Sequence, residues 1–160
     1  MPEALIGIGS NDDPEPALHE ACAALARRFG PLRRSSVYKS AAFGAAAPDY
    51  LNMVVVLCTE EGPAALRREL AAIETAVGRT RVDPTVCRLD LDLLFYGCRV
   101  DAEQRLPRDG AFTLPFVLAP LVEVRPELPH PLTGVPSGAA WRALAADVIV
   151  EKLRAGSSPA

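Results

Sequence analysis

Residues 87–97 read CRLDLDLLFYG, an apolar stretch in which Arg88, Asp90 and Asp92 stand at every second position. Side chains alternate between faces along a β-strand, so Leu89, Leu91 and Leu93 would share one side and the three charged residues the other. One face is then core. The other holds two carboxylates roughly 6 to 7 Å apart at their Cα atoms, from a rise of about 3.3 Å per residue, close enough to share one metal site. A solvated outer face of an antiparallel sheet shows the same alternation, so the acids alone leave both readings open.

The surroundings of this strand are regular. Upstream, Gly62 and Pro63 open a helix whose Leu66, Leu70, Ile73 and Val77 fall on one face before Gly78 ends it. Downstream, YGCRV predicts a turn into a short further strand. At the start of the chain, ALIGIGS (4–10) reads as a strand and SNDDPEP as a loop. A helix follows, with Asp13 as N-cap, Pro14 in its first turn, an apolar face of Leu18, Cys22, Leu25 and Phe29, and a stop at Gly30. RRSSVYKSA (33–41) and LNMVVVLCTE (51–60) are two more strands, joined by AFGAAAPDY, a connection long enough to contact a ligand. The order β-α-β-β-α-β predicts an α+β fold: a ferredoxin-like antiparallel sheet packed with helices.

Seven prolines between 105 and 136 exclude long regular elements there, apart from a short helix in FVLAPLVEV (116–124), so this segment is expected to drape over the sheet. Ser137 starts a C-terminal helix with Trp141, Leu144 and Val148 facing inward and Lys152 marking the end of the packed face. One domain over 1–154 and a disordered tail over 155–160 are expected.

Composition narrows the function. Forty-nine per cent hydrophobic residues suffice for an ordinary core, and a net charge of −3 gives no support for nucleic-acid or membrane-surface binding. Small molecules are the expected partners. The N-terminus has neither a basic n-region nor a long apolar run, which predicts a cytoplasmic protein. Four cysteines without a C-x-x-C pair, and only two histidines, argue for reduced thiols rather than a zinc site. Gly7 and Gly9 lack the third glycine of a dinucleotide fingerprint, and no P-loop lysine follows. Close strand packing explains these glycines as well as ligand contact does.

Arg79 and Arg81, in GRTR, complement a helix C-terminus, yet they also stand a short loop before the two acids. Acids that hold magnesium beside a surplus of arginine suit phosphoryl transfer. In PDYLN (48–52), Tyr50 or Phe43 could stack on a heterocycle while Asn52 pairs with its amide-like edge.

In order, the motifs IGSN, PDYLN, IE followed by GRTR, LDLDLLFYG and FVLAPLVEVRPEL resemble those of the 6-hydroxymethyl-7,8-dihydropterin pyrophosphokinases of folate biosynthesis, from residue 4 to about 135. The resemblance implies transfer of pyrophosphate from ATP to the pterin hydroxymethyl group, giving AMP. It implies two magnesium ions on Asp90 and Asp92, with Arg79 and Arg81 near ATP; Arg88, one position after the place of a family arginine, is expected to complete the catalytic set. The pterin would be held by Ser40, Ala41, Ala42, Phe43, Tyr50, Asn52 and Phe116, and ATP by Glu74, Arg79, Arg81, Leu93, Arg105 and Arg108. A monomer or weak dimer is expected. The chain departs from the family pattern in a shorter loop without its W-G-P-R segment, in Cys87 at the place of an arginine, in Arg108 at the place of a histidine, and in Leu114 before Phe116. A pterin-binding relative without kinase activity, or a ferredoxin-like module of another kind, are the alternatives.

Overall fold

The computed structural model describes residues 1–41, 47–144 and 151–153. Its elements are β1 (Glu3–Ser10), α1 (Pro14–Phe29), β2 (Arg33–Arg34), β3 (Tyr38–Ser40), β4 (Tyr50–Cys58), α2 (Pro63–Val77), β5 (Asp90–Tyr96), α3 (Pro115–Val124), α4 (Ser137–Leu144) and β6 (Glu151–Lys152). The sheet order is β5-β1-β4-β3-β6, with β2 also on β4, and every pairing is antiparallel. The two interlocked β-α-β units expected from the element order are therefore present, and β5 forms one edge.

Both faces of the sheet are covered. Ile6, Ile8, Met53, Val55, Leu91 and Leu93 pack with Leu18, Leu25, Leu66 and Leu70 of α1 and α2. Leu5, Val54, Val56 and Phe95 pack instead with Leu118 and Leu121 of α3, and α4 adds the half-buried Trp141 and Leu144. Alternation along β1, β4 and β5 serves the two cores in turn, which is why these strands read as nearly continuous apolar runs. The proline-rich segment thus forms a second layer, and it closes over one face while leaving room at one end.

Four local expectations are corrected. The 33–41 strand is split into β2 and β3, because Ser35 turns inward and its Oγ accepts from the Val54 amide at 2.9 Å. Asp13 does not cap α1 through its side chain: it sits at φ 47°, and its carboxylate meets Arg88 at 3.2 Å. Residues after Gly97 form turns with one antiparallel bridge, Asp101 to Leu106, rather than a strand. Finally, Lys152 does not mark the end of a helical face. α4 is described as far as Leu144, and Lys152 lies in β6 opposite Tyr38, where Glu123 holds Tyr38 Oη at 2.7 Å and Lys152 Nζ at 3.8 Å. Val148 and the 155–160 tail lie outside the described residues.

One irregularity sets up the site. Ile6 pairs with Leu93 and Leu5 with Phe95, so Leu94 is an extra residue on β5, a bulge. Leu94 and Phe95 therefore both face α3, and the Leu94 carbonyl accepts from the Arg108 amide at 2.9 Å. That bond brings the loop bearing Arg108 alongside Asp92.

Candidate active site

Strand register assembles the site where β1 ends and β4 and β5 begin. Gly9 stands between Asp90 and Asn52, and Gly7 between Asp92 and Val54. Partners in register present their side chains on one face, so the glycines leave a bare strip between the acids and Asn52. A Cβ at Gly9 would lie 3.1 Å from Asn52 Oδ1 and 3.7 Å from Tyr50 Cδ1. The strip floors a cavity of about 340 Å³, of a size that small-molecule sites commonly have. Asn52, Tyr50, Ser40 and Ala41 line one part and Asp90 and Asp92 another, while α3 contributes Phe116 and Val117. Asn52 Nδ2 donates to Ser40 Oγ at 2.9 Å, which fixes the carboxamide.

The rim is the short segment before β5, whose Pro84 and Thr85 line the cavity. Its shape depends on Asn11, a buried residue given no role in the sequence reading. Asn11 Nδ2 donates to the carbonyls of Thr85 at 2.8 Å and Pro48 at 3.3 Å, and its Oδ1 accepts from the Cys87 amide at 2.6 Å. Three loops are thereby held together by one side chain. The only local signal was a carboxamide placed directly after a strand ending in small residues.

Electrostatics mark the acidic end. Burial, then the adjacent charge of Asp90, pushes the Asp92 carboxyl up to about 7. Each acid has a guanidinium: Arg79 Nη1 meets Asp90 Oδ1 at 2.9 Å, and Arg108 Nη2 meets Asp92 Oδ1 at 3.4 Å. Arg79 also pairs with Glu74 of α2 and donates to the Leu89 carbonyl at 3.3 Å. Burial opposes the charge on Arg79, but its carboxylate neighbours outweigh it and hold the group protonated. Burial raises the Glu74 carboxyl despite that pairing. Among the described residues no third His, Cys, Asp or Glu joins Asp90 and Asp92 as a metal cluster. Two carboxylates that repel each other, with the remaining ligands left to phosphate and water, fit magnesium better than an all-protein cation cage.

Other expected residues fall elsewhere. Leu93 is fully buried among α1 and α2 side chains, on the face opposite the acids, so it is a core residue; Leu94, on the same face as Asp90 and Asp92, lines the cavity instead. Arg88 does not join the group around Asp90 and Asp92. Its Nη1 donates to the Asp12 and Asp13 carbonyls at 3.0 and 3.1 Å, anchoring the turn before α1. Arg81 lines a smaller depression of about 170 Å³ with Glu74 and Arg79. Arg105 is exposed, at φ 51° in the turn before Arg108. Ala42 and Phe43 lie outside the described residues. Cys87 is half-buried, and burial raises its pKa, so it brings a neutral thiol where the resemblance expects an arginine.

The sequence profile of the 7,8-dihydro-6-hydroxymethylpterin-pyrophosphokinase (HPPK) family matches residues 5–126. The chain belongs to this family. The 2-amino-4-hydroxy-6-hydroxymethyldihydropteridine pyrophosphokinase of Synechocystis sp. is 42% identical over 137 residues, covering 82% of this chain and 70% of the relative. The enzyme of the same name from Haemophilus influenzae is 37% identical over 138 residues, covering 82% and 86%. Among solved structures, the wild-type HPPK-DHPS of Plasmodium falciparum aligns with a TM-score of 0.67 at 11% identity, over 91% of this chain. An HPPK-DHPS solved in complex with substrates aligns at 0.71 and 12%, over 89%. This chain spans 45% and 42% of those two chains. At such identities the structural likeness speaks for the HPPK fold, the ferredoxin-like core found here. No helix among the described residues is long and apolar enough to cross a membrane.

Proposed function

We propose that this HPPK-family chain transfers pyrophosphate from ATP to the hydroxymethyl oxygen of 6-hydroxymethyl-7,8-dihydropterin and releases AMP. The supporting observation is the shared floor: Asn52, Gly9 and Asp90 lie in register across three strands, so a heterocycle on Asn52 would direct its substituent toward the acids. In this reading Asn52 Oδ1 accepts from the pterin edge, Tyr50 and Phe116 cover its faces, and Ser40 holds the Asn52 carboxamide in place.

Asp90 and Asp92 would hold Mg²⁺, two ions in the family pattern, which when bound would neutralise phosphate charge and align the reacting oxygens. Arg79 and Arg108 now occupy the acids as counter-ions. With the acids given over to magnesium, Arg79 and Arg108 would be the guanidiniums available to the phosphates, where they would stabilise negative charge in the transition state. Arg81, on the exposed flank of Arg79, would screen the same chain, with Glu74 orienting Arg79. Arg88 would act only through the turn it anchors. A cytoplasmic enzyme working as a monomer or weak dimer fits this reading.

The test is direct. Purified protein given magnesium, ATP and the reduced hydroxymethylpterin should form AMP in step with pterin diphosphate. Pterin binding without AMP would identify a binding relative, and neither would sink the proposal. Gly9→Val is expected to fill the strip between Asn52 and Asp90 and raise the pterin KM by at least about tenfold, with Mg-ATP binding unchanged. A variant with normal pterin affinity would show that the pterin lies elsewhere.

A further inference from the structure

Arg67 is a cation that neither the sequence reading nor the assigned site uses. It lies on α2 two turns before Glu74, on the same flank. Its Nη2 donates to the Gln104 carbonyl, while its Nε is shielded from solvent and has no hydrogen-bond partner. A buried unpaired donor is costly, the more so on a charged group. Burial, and next the positive charge of Arg108 and more weakly that of Arg105, pull the Arg67 pKa below its usual value, with Asp92 acting in the opposite sense. Arg108 itself reaches Asp92. Arg67, tied to the Gln104 carbonyl, and Arg108, on Asp92, therefore stand as neighbouring guanidiniums from α2 and the 105–108 turn, beside the edge strand β5. Two guanidiniums against one carboxylate leave positive charge over, and Nη1 of Arg67, unlike the enclosed Nε, is open to a ligand and has no hydrogen-bond partner among the described residues. A polyanion meets both needs.

We propose that Arg67 is a direct ligand of the nucleotide's phosphate chain, binding it with Arg108 on the Asp92 side while Arg79 serves the Asp90 side. The inference rests on the pyrophosphokinase reading and deepens it: α2 supplies a guanidinium from a new direction in a chain whose Cys87 and Leu114 stand where family arginines are expected. Because Arg67 comes from a helix packed beside β5, it acts without the longer loop that this chain lacks.

Calorimetry on the intact protein with magnesium and inorganic triphosphate, Mg-ATP, AMP and hydroxymethyldihydropterin in turn tests this. Arg67→Gln keeps a donor for the Gln104 carbonyl and removes the charge. Triphosphate and ATP should each bind about tenfold or more weakly, with pterin and AMP unchanged within about twofold, the melting temperature kept, and Arg67→Lys intermediate. Triphosphate affinity within about twofold of wild type in Arg67→Gln overturns the inference, as does equal weakening of pterin together with a lower melting temperature, the mark of a purely structural tether. If AMP forms but triphosphate binding ignores Arg67, this inference alone falls. If triphosphate binding depends on Arg67 but no AMP forms, the catalytic reading falls and this one stands.

Discussion

Asp92→Asn is expected to remove AMP formation by a factor on the order of 10³ or more while making the metal-free protein more stable at pH 8. The two effects share one cause. Asp92 is held against Asp90 and half-buried, and its carboxyl is pushed up to about 7 from the ordinary 3.8. In the unfolded chain the proton leaves at the ordinary value, whereas in the folded protein it stays until about 7. Between these values the folded state binds more protons than the unfolded state, so stability falls as pH rises through that window and stays low above it. Below about pH 4 the strain is absent.

Asparagine has nearly the same shape and no charge. At pH 8 without divalent cations the variant should melt higher than wild type, and at pH 4 the two should coincide. Losing the Arg108 pairing works against this, but a partly exposed pair at 3.4 Å contributes little. Magnesium at pH 8 should raise the melting temperature of wild type and leave the variant unmoved, because the cation relieves a repulsion that asparagine never had. Thermal denaturation across pH, with and without magnesium, measures all of this. A variant that melts lower at pH 8, or that still responds to magnesium, would mean that Asp92 is neither strained nor a metal ligand.

The same strand shows what could be read from sequence and what could not. Leucine at 89, 91 and 93 and aspartate at 90 and 92 are visible as a period of two, and their two destinations followed from it. The bulge at Leu94 is invisible, because a single extra residue leaves no mark in a run where every side chain is apolar. It nevertheless decides that Phe95 joins Leu94 on the α3 face instead of following Leu91 and Leu93 to the other core. Gly7 and Gly9 remained ambiguous for a different reason: their meaning depends on which residues stand opposite, and register is a property of pairs of strands.

Arg88 was placed by extending the strand one step too far. β5 begins at Asp90, and before it the chain follows the Asn11 tether, so Arg88 turns to the Asp12–Asp13 carbonyls. Arg67 was legible in principle, since it falls on the flank of α2 that also carries Glu74. An arginine on an amphipathic helix reads by default as solvated, and only the fold shows that this flank meets the edge of β5.

Arg79→Ala should be the most damaging of the arginine substitutions. Arg79 stands between Glu74 and Asp90, accompanied by Asp92 beyond. Its removal leaves Glu74 and Asp90 without the cation they share. Arg79 holds the Glu74 carboxyl down against its burial, so without it Glu74 loses its proton less readily and the acid side of the pH–rate profile should move to higher pH. The guanidinium is also the group positioned to follow the phosphates once magnesium occupies Asp90, and arginines in that role contribute about 10³ to 10⁵ in rate. A loss on the order of 10³ in kcat/KM is expected, with pterin affinity preserved. Arg79→Lys separates the two contributions. Lysine restores a positive charge and should return the pH profile toward that of wild type, but the contacts to Glu74, Asp90 and the Leu89 carbonyl all come from Nη1, and an ammonium has no second nitrogen to offer the phosphates while it keeps them. Most of the rate loss should therefore persist. Full recovery with lysine would reduce Arg79 to a local charge, and an alanine variant within about tenfold of wild type would remove it from the catalytic group altogether.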